Sequence, residues 1–218
     1  MPTLDLGVLV SGSGTNLQAI LDATRAGTLD ARVKVVISNR PGVAALSRAE
    51  AAGVEVRVIE HKRFPDRIAF DRAVTAELRA AGATWVVLAG FMRILTAELL
   101  DSFPDRVLNI HPALLPAFPG VDAQAQALAY GVRVTGCTVH LVDAGTDTGP
   151  IVAQAAVPVL DGDDRDKLAA RILVREHQLL VEVLRWLADG RVEVTRDPGA
   201  ARARVRVSGG CTALGVTS

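Results

Sequence analysis

Short apolar runs alternate with helical patterns along the first half of the chain. The runs are rich in β-branched residues and have the length of buried strands; they are Leu6–Val10, Val33–Ser38, Val54–Ile59 and Trp85–Ala89. Between them, apolar residues recur three and four positions apart, which is the spacing of one helix face. Strands that alternate with helices are typical of a parallel sheet with helices on both faces. The pattern therefore predicts an α/β fold.

The ends of these helices carry local signals. Thr15 and Gln18 fit a capping box at the start of the first helix. Asp66 is a candidate N-cap for the third helix, whose apolar stripe includes Ile68, and Gly82 is expected to end that helix.

The second half of the chain is less regular. Further strands are predicted at Val107–Ile110, Gly136–Val142 and Ile151–Val159, separated by loops rich in proline and glycine. We therefore expect a mixed, mostly parallel sheet, followed by a long helix from about Asp164 to Leu187. We assign residues 1–192 to one domain and residues 193–218 to a terminal edge strand or a flexible tail.

Composition changes this picture mainly by what it excludes. Of the 218 residues 50% are apolar, and 24 lysines and arginines balance 24 acidic residues. A net charge of zero argues against nucleic-acid binding, and no apolar run reaches the roughly 18–20 residues that cross a membrane. Cys137 and Cys211 match no metal or redox spacing and are interpreted as sheltered thiols. We therefore expect a cytoplasmic protein that binds neither nucleic acid nor membrane.

A glycine-rich loop follows the first strand and precedes the first helix. This glycine loop, residues 11–16, reads Ser-Gly-Ser-Gly-Thr-Asn. Glycines permit the sharp turn that lets several N–H groups at a helix N-terminus face one anion. Leu17 stands where a dinucleotide fingerprint needs glycine, and the chain has neither a Walker loop nor a Gly-x-Ser-x-Gly elbow. The loop is therefore a candidate anion site; a tight turn without a ligand is the alternative.

Two polar side chains end the strand predicted at residues 107–110. Asn109 and His111 are two positions apart, so a strand places them on one face, and Pro112 cannot extend the ladder. Open α/β proteins bind ligands at such strand ends. An amide can donate to a developing oxyanion, and an imidazole can donate a proton. Residues 113–120, here called the wall loop, are apolar and proline-rich and suit a pocket wall; a purely structural histidine is the alternative.

Three carboxylates are further candidates. Asp143 and Asp147 lie in a loop, where either can orient an imidazole or merely serve the turn, and the residue types do not choose between them. Glu176 lies inside an apolar helical stripe, where a carboxylate is costly unless a ligand or an arginine pairs with it. The acidic residues 161–166 precede a helix and lack EF-hand spacing, so we predict a solvated helix start and no metal site.

Four motifs of this chain occur together in one known family. They are Ser11–Ile20, Leu88–Leu95, Asn109–Pro116 and Asp147–Pro150. Through them the chain resembles the folate-dependent formyltransferases, and among these the glycinamide ribonucleotide formyltransferases of purine biosynthesis, from about Leu6 to Val192. The glycine loop and the Phe-Met-Arg-Ile-Leu run single out these members.

The resemblance implies a Rossmann-like fold and transfer of a formyl group, without a metal, from 10-formyltetrahydrofolate to the amine of glycinamide ribonucleotide. Asn109 and His111 would stabilise a tetrahedral oxyanion, His111 would supply a proton, and Asp147 would orient it. The N-terminal half would form the phosphate-substrate side and the C-terminal half the folate side. The residues implied to hold the phosphate substrate are Gly12, Ser13, Gly14, Thr15, Asn16 and Glu176. Of these, Glu176 would contact the ribose or the amine of the substrate. Those implied to line the folate pocket are Arg67, Met92, Arg93, Ile94, Leu95, Val142, Asp143, Ala144, Gly145 and Thr146.

Other readings of the same chemistry stay open. Methionyl-tRNA formyltransferase carries a second, basic RNA-binding domain, for which we expect this chain to be too short, and formyltetrahydrofolate hydrolase carries a regulatory domain before its first strand. A non-catalytic sugar-phosphate binding module would leave Asn109, His111 and Asp147 without a role. Many relatives carry a histidine where this chain has residues 121–124, Val-Asp-Ala-Gln, so their pH-dependent loop behaviour is not carried over. We expect a monomer or a homodimer.

Overall fold

The computed structural model describes residues 3–196 and 202–209. Cys211 and the remaining tail residues lie outside this part, so their interpretation stays a prediction. The chain divides into two compact units at the Asn109–Ile110 bond.

The first unit is a parallel sheet with helices between its strands. The strands are β1 (Leu4–Val10), β2 (Ala31–Ser38), β3 (Val56–Val58), β4 (Trp85–Leu88) and β5 (Val107–His111), which continues past the boundary. The helices are α1 (Thr15–Arg25), α2 (Ala44–Ala51), α3 (Arg67–Ala80) and α4 (Ala97–Leu100), with a 3-10 turn at His61–Arg63. β1 is central and pairs in parallel with β2 and with β4. β2 pairs in parallel with β3, and β4 pairs in parallel with β5. Residues 6–10 of β1 are all buried, as expected for a strand covered on both faces.

The second unit is built on an antiparallel strand pair. Its elements are α5 (Ala123–Tyr130), β6 (Val134–Leu141), β7 (Ile151–Pro158), α6 (Arg165–Ala188), β8 (Val192–Thr195) and β9 (Arg204–Val207). β6 pairs antiparallel with β7, and α6 contacts both strands. Asp164 caps α6 by accepting a hydrogen bond from the Lys167 N–H at 2.8 Å.

Seven strands form one sheet in the order β3-β2-β1-β4-β5-β6-β7. The predicted α/β fold with a mixed, mostly parallel sheet is therefore confirmed. Most predicted strand ends are within two residues of those observed, which is the usual uncertainty of such boundaries.

Two local predictions are wrong. Thr15 does not cap α1, because the N-cap is Gly14 in the left-handed conformation and no side chain caps the helix. Ile68 does not belong to the buried stripe of α3: it is 51% exposed, whereas Phe70 on the packed face is 1% exposed. The predicted cap of α3 is confirmed, since the Asp66 carboxylate accepts a backbone hydrogen bond at 2.8 Å.

The described residues of the tail form a hairpin. β8 pairs antiparallel with β9, and β9 contacts β7. That residues 193–218 form an appendage separate from the domain stays a prediction. Within residues 3–196 and 202–209, no helix combines the length and apolarity that crossing a membrane requires.

Candidate active site

The glycine loop takes its shape from one residue. Gly14 has a φ of +72°, and a β-carbon at this position would lie 2.6 Å from the β-carbon of Ala45 in α2. Both the backbone and the neighbouring helix therefore exclude a side chain here. The cap residue Gly14 makes no side-chain hydrogen bond, and the N-terminus of a helix such as α1 suits an anion. The geometry fits the anion site predicted at Gly12 to Asn16, whose role stays a prediction.

Arg48 holds the same loop from α2, and the sequence pattern did not single it out. Its Nε donates to the Ser13 carbonyl oxygen at 2.9 Å, and its Nη1 donates to Gln18 Oε1 at 3.2 Å. The guanidinium adds positive charge beside a helix N-terminus, which is already the positive end of the helix dipole. On sequence alone Arg48 looks like any helix-surface arginine, so the fold is needed to find it.

The Phe-Met-Arg-Ile-Leu run is joined directly to the glycine loop. The Ser11 N–H donates to the Gly90 carbonyl oxygen at 3.2 Å, and the Met92 N–H donates to Ser11 Oγ at 2.9 Å. The Ser11 hydroxyl donates in turn to Asn39 Oδ1 at 2.7 Å. The segments that follow β1, β2 and β4 are thus bonded together at the carboxyl ends of adjacent parallel strands, where α/β proteins bind ligands.

The predicted folate residues of this run differ in exposure. Met92 and Ile94 are exposed and Leu95 is buried. Exposed apolar side chains at a strand end are suited to contact a flat, partly apolar ligand. Contact with a folate stays a prediction for all three.

Arg67 and Arg93 share a patch around Phe70 and Asp71. The Arg93 guanidinium lies 5.3 Å from the Phe70 ring centroid, a cation–π distance. Burial raises the pKa of Asp71; hydrogen bonds from Thr96 and the charges of Arg93 and Arg67 offset part of that rise. The charges of both guanidinium groups thus act on the Asp71 carboxyl group, and arginine side chains suit an anionic ligand group.

β5 presents Asn109 and His111 on one face, as the period of two predicts. Asn109 pairs with Leu88, the last residue of β4, so it lies where two adjacent strands end. Asn109 is half-buried, whereas His111 is 4% exposed. A histidine this buried needs partners for its ring nitrogens.

Both ring nitrogens of His111 have such partners. Nδ1 lies 3.3 Å from Asp147 Oδ2, and Nε2 lies 2.8 Å from the Phe118 carbonyl oxygen. A carbonyl oxygen only accepts hydrogen bonds, so we assign a proton to Nε2. The structure thus brings the predicted imidazole and one predicted carboxylate together.

Asp143, the other loop carboxylate, serves its own turn. Its Oδ1 accepts hydrogen bonds from the Gly145 N–H at 3.0 Å and the Thr148 hydroxyl at 2.6 Å, which is a local pattern that aspartates favour in turns. A β-carbon on Gly145 would lie 2.0 Å from Thr148 Oγ1, so the turn is tightly wound. Of the two candidates, Asp147 is therefore the one placed beside His111. The loop residues Ala144, Gly145 and Thr146 are exposed, Val142 is half-buried, and their contact with folate stays a prediction.

A second histidine, His140, lies on the other oxygen of Asp147. Its Nε2 is 3.7 Å from Asp147 Oδ1, and its Nδ1 is 2.9 Å from the Leu141 carbonyl oxygen. Burial lowers the pKa of His140, and the Leu141 hydrogen bond and the Asp147 charge offset only part of this effect. The ring is therefore neutral near pH 7, with its proton on Nδ1. Asp147 is flanked by one imidazole on each oxygen.

The wall loop reaches back to the same pair. Besides the Phe118 carbonyl at His111, the Gly120 N–H donates to Asp147 Oδ2 at 2.7 Å. Phe118 and Asp147 have φ values of 55° and 54°, which side chains rarely adopt. Backbone atoms of the wall loop are therefore hydrogen-bond partners of His111 and Asp147, the two side chains predicted to take part in the reaction. These contacts leave no mark in the sequence, because every residue carries the same backbone atoms.

Glu176 is buried in α6, as its place in the apolar stripe predicts, with 7% of its surface exposed. Burial raises the pKa of the nearby Cys137 thiol to about 12, and the Glu176 charge adds to that rise. A contact between Glu176 and a substrate stays a prediction. In the described part of the chain, no group of three His, Cys, Asp or Glu side chains is arranged to hold a metal ion.

Comparison with known proteins bears on this geometry. Residues 5–184 match the formyl transferase family. The chain is 53% identical over 189 residues to phosphoribosylglycinamide formyltransferase of Mycobacterium tuberculosis, covering 87% of each protein. It is 49% identical over 187 residues to the trifunctional purine biosynthetic protein adenosine-3 of Drosophila melanogaster, covering 85% of this chain. The chain spans 14% of the length of that larger protein.

Solved structures agree with these sequence matches. The fold is similar to glycinamide ribonucleotide transformylase 1 from Symbiobacterium toebii, with a TM-score of 0.89, 51% identity and 94% of each chain covered. It is also similar to a formyltetrahydrofolate deformylase from Pseudomonas syringae, with a TM-score of 0.85, 26% identity, and 94% of this chain and 66% of that one covered.

Proposed function

Because the chain belongs to the formyl transferase family, we propose that it transfers the formyl group of 10-formyltetrahydrofolate to the amine of glycinamide ribonucleotide. The observation that carries this proposal is the buried His111–Asp147 pair, with 3.3 Å between Nδ1 and Oδ2. His111 lies two residues after Asn109 on β5. Two bacterial relatives named phosphoribosylglycinamide formyltransferase, 53% and 40% identical to this chain, are matched over 87% and 90% of their lengths.

The reaction is a direct acyl transfer. The substrate amine attacks the formyl carbon, and the Asn109 amide and the His111 Nε2–H donate hydrogen bonds to the oxyanion that forms. As the bond from carbon to folate N10 breaks, N10 gains one proton and the attacking amine loses one. Asp147 orients the imidazole and balances its positive charge. No covalent bond to the enzyme is required.

The contact between His111 Nε2 and the Phe118 carbonyl oxygen supports a position for that oxyanion. The carbonyl oxygen lies 2.8 Å from His111 Nε2, within the range expected between a donor and an oxyanion. The formyl oxygen would therefore replace the Phe118 carbonyl at Nε2, and the tip of the wall loop would shift. His140, neutral beside Oδ1, does not compete for the Asp147 charge.

The remaining predicted residues would bind the ends of the substrates. Backbone N–H groups of Gly12 to Asn16 would hold the phosphate, supported by Arg48 behind Ser13. Arg67 and Arg93 would meet the carboxylates of the folate. Glycinamide ribonucleotide and reduced folate are then the partners; a cytoplasmic location and a monomer or homodimer stay predictions.

An assay with three acceptors tests the proposal. The purified chain is given 10-formyltetrahydrofolate with glycinamide ribonucleotide, with methionyl-tRNA or with water alone, and tetrahydrofolate release is followed by absorbance. We expect turnover with glycinamide ribonucleotide. Release at a similar rate in water alone would instead support a deformylase, the second candidate because of the Pseudomonas syringae structure.

A histidine variant ties that turnover to the site. We expect His111→Ala to lower kcat at least about 100-fold, the usual contribution of a positioned acid, with little change in KM. His177→Gln is the matched control, since His177 lies on α6 outside the proposed machinery, and it should keep the wild-type rate. An active His111→Ala enzyme would reject the assigned roles.

A further inference from the structure

One face of β6 supports the wall loop through three different side chains. Alternate residues of a strand project to the same face, so Gly136, Thr138 and His140 share one. A β-carbon at Gly136 would lie 2.9 Å from the Leu114 side chain, so the wall loop packs directly over this face. His140 reaches Asp147 from the same face. Thr138, between them, is completely buried.

The Thr138 hydroxyl makes three hydrogen bonds. It donates to the Ala113 carbonyl oxygen at 2.7 Å and accepts from the Leu115 N–H and from Gln154 Nε2, each at 3.0 Å. A hydroxyl offers one donor and two acceptor positions, so none is left over. Gln154 faces Thr138 across the β6–β7 pair and donates its second N–H to the Leu115 carbonyl oxygen at 2.9 Å. Two side chains thus bind three backbone groups of the wall loop.

These bonds fix the base of the loop, immediately after His111. Pro112 interrupts the β-ladder there, so the buried backbone groups that follow need side chains as partners. The tip of the same loop is bonded to His111 and Asp147. Movement at the base would therefore displace both the strand end that carries His111 and the loop tip beside it. Catalytic groups lose much of their effect when they are misplaced by about 1 Å.

We propose that Thr138 and Gln154 are positioning residues for formyl transfer. They hold residues 113–115 so that the imidazole of His111 and the carboxylate of Asp147 keep the geometry that the reaction needs. This inference rests on the roles proposed above for His111 and Asp147. Neither Thr138 nor Gln154 is assigned a contact with the reacting atoms.

Thr138→Val and Thr138→Ser separate positioning from simple stabilisation. Valine keeps the shape of threonine but leaves the Ala113 carbonyl and the Leu115 N–H without the hydroxyl, so we expect kcat to fall about tenfold, with KM for both substrates changing less than about twofold. Serine keeps the hydroxyl and should restore kcat to within about twofold of wild type. If Thr138 merely stabilised the fold, Thr138→Val would lower the unfolding midpoint and leave the kcat of the folded enzyme unchanged.

Gln154→Met tests the same pair without changing Thr138. Methionine keeps the length of the half-buried side chain and removes both N–H donors, so we expect a loss of kcat of roughly fivefold. Because the two residues act on one segment, the double variant should lose less than the product of the single losses. If Thr138→Val does not fold, Gln154→Met decides the matter.

The outcomes are distinct. Unchanged kcat in Gln154→Met, or a Thr138→Ser enzyme as slow as Thr138→Val, overturns the proposal. An active wild type, an inactive His111→Ala enzyme and an unaffected Thr138→Val enzyme would reject the positioning role alone. A wild type without turnover on glycinamide ribonucleotide would reject the proposed function instead.

Discussion

The glycine loop and the wall loop are both irregular segments that follow a strand, yet they are held in different ways. The glycine loop depends on backbone shape at Gly14, which is left-handed and packs against Ala45, and the Arg48 side chain binds only the backbone carbonyl oxygen of Ser13. The wall loop is fixed by polar side chains, with Thr138 at its base and His111 and Asp147 at its tip.

Under the proposed roles, this difference separates substrate binding from chemistry. A loop that is fixed by its own backbone presents the same N–H groups before and after a ligand arrives, so its affinity is not reduced by reorganisation. A loop that bonds to the reacting groups must release them to the substrate. We therefore expect changes in the glycine loop to raise KM for the phosphate substrate, and changes around His111 to lower kcat.

The largest effect should come from the wall-loop side, with Asp147→Asn. The amide keeps the shape but cannot balance a charged imidazole, so we expect kcat to fall at least about 100-fold. Steady-state kinetics with both substrates measures this loss.

Asp143→Asn is the matched comparison, since it removes the same charge from the same loop. Its carboxylate binds Gly145 and Thr148 within the loop, so we expect a KM for folate raised a few-fold, with kcat within about twofold of wild type. Equal losses of kcat in both variants would show that loop integrity, rather than the Asp147–His111 contact, limits the rate.

These two aspartates also show where sequence reasoning ends. Alternation along β5 places Asn109 and His111 on one face before any coordinates are known, because a strand has a fixed period. No such period exists in the loop that carries Asp143 and Asp147, and aspartate is common in turns for local reasons. The choice between them therefore depends on the fold. The contact of the Phe118 carbonyl with His111 is harder still to predict from the sequence, because every residue type carries the same backbone atoms.

The fold itself follows the same division. β1 could be predicted because a strand covered on both faces is a continuous apolar run. α4 has four residues, and α5 is rich in alanine and glutamine, so neither shows a clear apolar stripe of period 3.6. The capping box at Thr15 failed because the N-cap of α1 is the left-handed Gly14, which packs against Ala45; a contact between distant residues leaves no mark in the local pattern.

Gly14→Ala should give the next largest effect, on the glycine-loop side. A left-handed conformation costs alanine about 1–2 kcal/mol, and the new methyl group meets Ala45 in addition. Displacing the loop should raise KM for glycinamide ribonucleotide roughly tenfold, equivalent to about 1.4 kcal/mol of binding, while kcat stays near the wild-type value. Urea unfolding and steady-state kinetics measure the two parts.

The double variant Gly14→Ala, Ala45→Gly tests how much of the effect comes from the Ala45 methyl group. It removes that methyl group, but the Cα of residue 45 would still lie 2.7 Å from the new β-carbon and the unfavourable φ remains, so we expect KM and stability to recover only in small part. A Gly14→Ala enzyme with normal KM and reduced kcat would contradict the division between the two loops.

The smallest expected effect is a loss of stability on mild acidification, and it belongs to the surroundings of Asp147. Burial lowers the pKa of His140 below its ordinary value of 6.5. Between that value and the lower pKa of the folded state, the unfolded chain binds more protons, so the free energy of unfolding falls as the pH is lowered through 6.5. Urea unfolding at pH 7.5 and pH 5.5 should show this fall in the wild type and a smaller one in His140→Gln. The Gly14→Ala variant, altered in the other loop, should keep the full pH dependence; if it loses as much of it as His140→Gln does, the titrating group lies elsewhere. Asp71, whose pKa is raised by burial, acts in the opposite sense in all three proteins, so the difference between wild type and His140→Gln isolates the histidine.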